Sequence, residues 1–170
     1  MIKTKYVLLC PDDDFIFPNS VIKAKKFLEK NSNYICAHGD YYAHPNFKDL
    51  KEKKDFFFYK LYSSKNLEKP NPQDRLLQYL SKIGGIFPYY ALYRTKSFKQ
   101  IWLNHYKYLK RNEGFIEILP SSLSFLLGNH KVLPIIWMSK ESNNNSPFDN
   151  INKLDHIFNE YVYKRYFDCL

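Results

Sequence analysis

Three consecutive carboxylates, Asp12, Asp13 and Asp14, follow the apolar run Tyr6-Val7-Leu8-Leu9-Cys10 and Pro11. Adjacent carboxylates repel one another and gain most when a divalent cation sits among them. Mg²⁺ and Mn²⁺ take hard oxygen ligands, usually one or two carboxylates together with substrate phosphates, so a metal-bridged diphosphate is a natural ligand for such a triplet. The competing reading is a solvated acidic turn at the start of the next helix, where negative charge is favoured. A buried strand in front of the triplet weighs against it, because ligands of open α/β sheets collect at the carboxyl ends of strands. Lys140 and Glu141, which follow the last apolar strand, have the charge to meet phosphate or an acceptor, and an ordinary charged loop explains them as well. His38, His44, His105, His130 and His156 have no metal-ligand spacing, and His38 reads as a core or edge histidine. Cys10, Cys36 and Cys169 show no CxxC pattern, which argues against a zinc site or a disulfide framework. Tyr41 and Tyr90 are candidates for stacking on a sugar ring, although tyrosine and phenylalanine clusters are more often core.

The elements that position these residues alternate. Tyr6 to Cys10 reads as a strand buried on both faces. Pro18-Asn19-Ser20 offers a turn and an N-cap for a helix over Val21 to Lys30, with Val21, Ala24, Phe27 and Leu28 on one face. A strand runs from Tyr34 toward Tyr42, so the opening reads as one right-handed α/β unit. Phe56 to Tyr62 is a strand or a lid. Asn71 caps a helix with Pro72 at its first position, over Gln73 to Ile83, with Leu76, Leu77 and Leu80 inward. Tyr89 to Tyr93 is a strand, and Thr95 caps a helix to about Lys110. A helical pattern through Ile116, Leu119, Leu123 and Leu127 contains Pro120, in its first turn or at a kink. Val132 to Met138 is a strand, and Asn150 to Phe167 a terminal helix.

The whole chain, 170 residues with 45% hydrophobic and 25% charged side chains, has the length and composition of one globular domain. No apolar run approaches the roughly 18 residues that span a bilayer. The opening apolar stretch is shorter than a signal-peptide core and meets aspartates at once, which favours a cytoplasmic protein. The formal net charge of +9 is carried mostly by lysine, with arginine only at Arg75, Arg94, Arg111 and Arg165. Nucleic-acid readers lean on arginine forks, and the abundance of Lys, Asn, Tyr, Phe and Ile fits A/T-rich codons. No nucleic-acid partner is therefore expected.

The segment Lys5 to Ile16, with Asp12-Asp13-Asp14 after its strand, resembles the strand and DxD motif of family 2-like glycosyltransferases of the GT-A fold. Phe27-Leu28-Glu29 with Ala37-His38-Gly39, and Arg75-Leu76-Leu77 with Tyr90-Ala91-Leu92-Tyr93-Arg94-Thr95, are similar in order and spacing to segments of a bacterial subfamily. So are Glu117, Gly128 and Leu133-Pro134. The resemblance covers Lys5 to about Asn143. It implies a partial GT-A-like, Rossmann-like mixed sheet flanked by helices. The implied reaction moves a sugar from a nucleotide-diphosphate donor to the hydroxyl of a glycan or other acceptor, with inversion, using Mg²⁺ or Mn²⁺. Asp12 and Asp14 correspond to the outer positions of the DxD motif and would hold the metal and the donor, with Asp13 able to substitute for either. The general base lies about a hundred residues further on in that family, which points to Glu117, with Glu113 and then Glu141 behind it. A helix-start glutamate favoured by the macrodipole is the structural alternative for Glu117. A full GT-A domain has further strand–helix units before the DxD strand, so the resemblance also implies a missing N-terminal half or an oligomeric partner. An apolar sheet edge that pairs with another chain is the alternative function.

Overall fold

The computed structural model describes residues 2–45, 58–62, 65–81, 88–109 and 117–142. They form a curled mixed sheet with helices against both of its faces. In chain order the elements are β1 (Tyr6–Val7), β2 (Phe15–Ile16), α1 (Pro18–Lys30), β3 (Tyr34–Pro45), β4 (Tyr59–Tyr62), α2 (Pro72–Leu80), β5 (Leu92–Arg94), α3 (Thr95–Leu109), α4 (Ile118–Leu127) and β6 (Asn129–Ser142). The sheet runs β1-β5-β3-β6-β2, and β4 pairs with the outer half of β3. Among the described residues only β3 and β6 pair in parallel, and the other strand pairings are antiparallel.

The first strand is shorter than its sequence suggests, and it lies at the sheet edge. Only Tyr6 and Val7 pair, with Arg94 and Tyr93, because β5 has three residues before the chain turns into α3. The Thr95 N–H still reaches back to the Lys5 carbonyl, at 3.1 Å. Leu8 and Leu9 leave the ladder and divide between two cores. Leu8 joins Ala24, Leu28, Ala37, Leu92 and Trp137 under α1. Leu9 joins Cys36, Tyr93, Phe98, Ile101, Leu119 and Leu123 under α3 and α4. This alternation along β1, β3 and β5 places α1 on one face and α3 with α4 on the other. β5 lies between β1 and β3 and is antiparallel to both, so β1 and β3 run parallel on either side of α1 in the chain.

A strand absent from the sequence reading, β2, positions the acidic loop. Phe15 and Ile16 pair antiparallel with Ser139 and Met138 of β6. The Phe17 N–H continues to the Trp137 carbonyl at 3.1 Å, and the Ser20 hydroxyl donates to the Ile136 carbonyl at 2.6 Å. Ser20 is therefore a tether to β6 and not the helix cap. The cap position of α1 is Phe17, with Pro18 at the first helical turn, where its missing N–H costs nothing. At the other end of α1, Arg94 donates to the carbonyls of Leu28, Asn31 and Tyr34. These contacts tie the C-terminal end of α1 and the start of β3 to β5.

Two further readings are corrected by packing. In α2 the Asn71 side chain does cap, accepting from the Gln73 N–H at 2.9 Å, but Leu77 is 64% exposed, while Arg75 and Tyr79 are buried. Arg75 fits inside because its guanidinium donates to the carbonyls of Phe125, Lys69 and Pro70. Tyr41 is fully buried and presents no face to a sugar. Gly39 has a local reason: a Cβ there would lie 2.2 Å from the Ile135 carbonyl oxygen, where the β3–β6 register shifts between His38 and Asp40. Among the described residues no helix is long and apolar enough to cross a membrane. The expected terminal helix over 150–167, and Glu113, lie outside the described residues.

Candidate functional site

The parallel pair β3–β6 sets where chemistry can occur, since both strands end at the same side of the sheet. The β2–β6 register, continued one residue beyond Phe15 and Ser139, sets Asp14 opposite Lys140. Asp14 is half-buried, and one of its oxygens, Oδ2, is enclosed without a hydrogen-bond partner among the described residues. Burial pushes its carboxyl above the usual range, and Asp13 adds to that shift. Lys140, the Glu141 backbone N–H and His44 oppose it. An enclosed carboxylate oxygen with no partner is costly to leave unmade. It is therefore the natural place for a ligand group.

Across from Asp14 stands Tyr90, in the turn before β5. Its carbonyl accepts the indole N–H of the buried Trp137 at 2.9 Å. Its ring meets Tyr89 edge-on, with centroids 4.8 Å apart, and the Lys140 ammonium lies 4.8 Å from the ring centroid. The Tyr90 hydroxyl donates to Glu117 Oε1 at 3.0 Å. Glu117 occupies the N-cap position of α4, yet its side chain makes no capping hydrogen bond. The first turn is served by its carbonyl, which accepts the Ser121 N–H and hydroxyl. Its carboxylate meets the Tyr90 phenol instead.

The phenols record this arrangement. Burial first, then the negative charge of Glu117 and its hydrogen bond, push Tyr90 well above the usual tyrosine range, with Asp14 contributing in the same sense. Tyr89 is pushed up to about 12 by burial and by Glu117. Both phenols remain protonated donors at neutral pH. Asp14, Lys140, Tyr90 and Glu117 thus come from four separate parts of the chain and share one neighbourhood. His44 flanks it, with its Nδ1 2.7 Å from the Ser139 hydroxyl.

The sequence candidates divide here. Glu117 is hydrogen-bonded to Tyr90, while Asp14 acts on Tyr90 only through its charge. Asp12 and Asp13 are exposed at the loop surface. Glu141 contributes its backbone N–H to Asp14. His38 lies in the core, fully buried against His130, with ring centroids 4.8 Å apart. Sequence reasoning offered Tyr90 only as a stacking ring and missed its role as a donor to Glu117; no spacing in the chain links residues 90 and 117. A small cavity lined by Tyr89, Tyr93, Phe98, Ile101, Trp102 and Pro120 lies behind Tyr89 and carries no charged group, so it is no place for phosphate.

One carboxylate with an enclosed free oxygen fits the share that Mg²⁺ or Mn²⁺ takes from a protein when phosphates and water supply the rest. Among the described residues no three His, Cys, Asp or Glu side chains converge to hold a cation by themselves. The sequence matches no protein-family model, and no curated protein matches it.

Proposed function

We propose that this chain is a glycosyltransferase domain of GT-A type, which transfers a sugar from a nucleotide-diphosphate donor to an acceptor hydroxyl. The observation that supports it is that Glu117 hydrogen-bonds to Tyr90, whose ring carries the ammonium of Lys140, the residue opposite Asp14 in the β2–β6 register. Asp14, with Asp12 at the mouth of the loop, would hold Mg²⁺ or Mn²⁺, which when bound offsets charge on a diphosphate leaving group. Lys140 adds a second positive charge next to Asp14, suited to phosphate oxygens. Glu117 takes the proton of the acceptor hydroxyl as that oxygen attacks the anomeric carbon. The bond from that carbon to the diphosphate oxygen breaks, and the nucleoside diphosphate departs with the electron pair. The two carboxylates thus have different tasks, matched to different surroundings: Asp14 desolvated beside an ammonium, Glu117 hydrogen-bonded to a phenol.

Isothermal titration with Mn²⁺ and a panel of UDP- and GDP-sugars tests the reading. Wild type binds at least one member only when Mn²⁺ is present, and Asp14→Asn removes that binding. Equal affinity in Asp14→Asn would sink the assignment. The alternative, pairing with another chain through a sheet edge, has two-residue strands at both outer positions to work with.

A further inference from the structure

Tyr90 is fixed at three points before its hydroxyl is considered. Its carbonyl is held by Trp137, its ring edge by Tyr89 and its ring face by Lys140. A ring clamped in this way has one polar group left to direct, and that group donates to Glu117 Oε1 at 3.0 Å. Glu117, at the start of α4, makes no capping hydrogen bond through its side chain, so the phenol is the partner of its carboxylate. The phenol stays protonated, since burial and the Glu117 charge both raise it. It therefore donates throughout the neutral range and does not compete for the proton of an acceptor.

We propose that Tyr90 is a positioning residue for Glu117: by donating to Oε1 it holds the carboxylate in the cleft and presents Oε2 to the acceptor hydroxyl. The proton of that hydroxyl then passes to Oε2 while the phenol keeps its own. The inference rests on the reading of this cleft as the site of sugar transfer, and it goes beyond that reading by assigning the residue that orients the base.

The test is a mutant cycle on the full chain, with Tyr90→Phe, Glu117→Gln and the double variant. Tyr90→Phe keeps the ring, the lysine contact and the carbonyl, and removes only the hydroxyl. Two quantities are read: Mn²⁺-dependent UDP affinity, and turnover of the donor that the panel identifies, followed across pH. Expected are a loss of turnover of about tenfold to a hundredfold in Tyr90→Phe, a changed pH–rate profile, and UDP affinity within twofold of wild type. Glu117→Gln loses more, and adding Tyr90→Phe to it costs nothing further. A merely structural hydroxyl would instead lower affinity and turnover together, or add its loss to that of Glu117→Gln, and either result overturns the inference. Unchanged turnover in Tyr90→Phe overturns it while leaving sugar transfer standing. A wild-type chain that neither binds UDP with Mn²⁺ nor turns over any donor overturns both.

Discussion

Acid should loosen this fold through its buried histidines. His38 and His130 are almost wholly enclosed between β3, β6 and α4, with Phe125, Tyr41 and Trp137 around their rings. His38 Nδ1 meets the Gly39 carbonyl at 2.6 Å, but its Nε2 and both nitrogens of His130 make no hydrogen bond among the described residues. Burial lowers His38 from an ordinary value of 6.5 to about 4, partly opposed by the Gly39 carbonyl and Asp40; His130 is lowered well below its ordinary value, by burial and then by His38. Below pH 6.5 the unfolded chain binds protons that the folded chain refuses. Stability is therefore complete above about pH 6.5 and is lost as the pH falls toward about 4. For His38 the gap of 2.5 pH units, at about 1.4 kcal/mol each, amounts to about 3 kcal/mol. His130 adds in the same direction, so the slope approaches about 3 kcal/mol per pH unit where both are refusing protons. Against a total of about 5–15 kcal/mol for a domain, that loss is decisive. Urea unfolding at pH 7.5, 6.0, 5.0 and 4.5, followed by Trp102 and Trp137 fluorescence, measures the slope. The imidazole ¹³C shifts report where each ring titrates. His130→Phe, which sacrifices no hydrogen bond, should flatten the slope by about half. A slope under about 1 kcal/mol per pH unit, or rings that titrate near 6.5 in the folded protein, would refute the argument.

Other expectations concern single positions. Asp14→Asn should raise the melting temperature at pH 7 even as it removes ligand binding. Burial disfavours the charged carboxylate, so the folded chain gains stability as the pH falls through the raised pKa, and the neutral amide keeps that gain at all pH; differential scanning calorimetry reads the sign. Gly39→Ala should cost about 2–3 kcal/mol in urea unfolding, because the new methyl meets the Ile135 carbonyl and not a movable side chain. Arg75→Met should cost about 3 kcal/mol by leaving the carbonyls of Phe125, Lys69 and Pro70 without their donor, and lysine should not rescue it, having no fork. Asn71→Ala should cost about 1 kcal/mol as α2 loses its cap.

How much could be read in advance differed by element. The apolar face of α1, the cap and proline of α2, and the start of β3 follow from local patterns, and the structure keeps them. α3 does begin at Thr95, but the Thr95 hydroxyl is buried with no hydrogen-bond partner among the described residues, so the cap read there is not made. The inward face of α2 followed in part: Leu76 and Leu80 pack inward as read. Leucines outrank an arginine on any transfer scale, however, and only three carbonyls converging from 69, 70 and 125 bury Arg75 while Leu77 stays exposed. The strand β2 was invisible because two residues have no periodicity of their own; their partner in β6 makes them a strand.

The local sequence determined the alternation of apolar strands and amphipathic helices, the acidic turn and the glutamate at a helix start, since each depends on neighbours within a few residues. Tertiary structure alone decided that Asp14 is half-buried with one oxygen enclosed while Asp12 and Asp13 stay exposed, and that Glu117 meets the Tyr90 phenol. Those outcomes depend on which surfaces exclude solvent and on distances between residues 14, 90, 117 and 140. No short stretch of chain encodes them, because burial and proximity are properties of the packed whole.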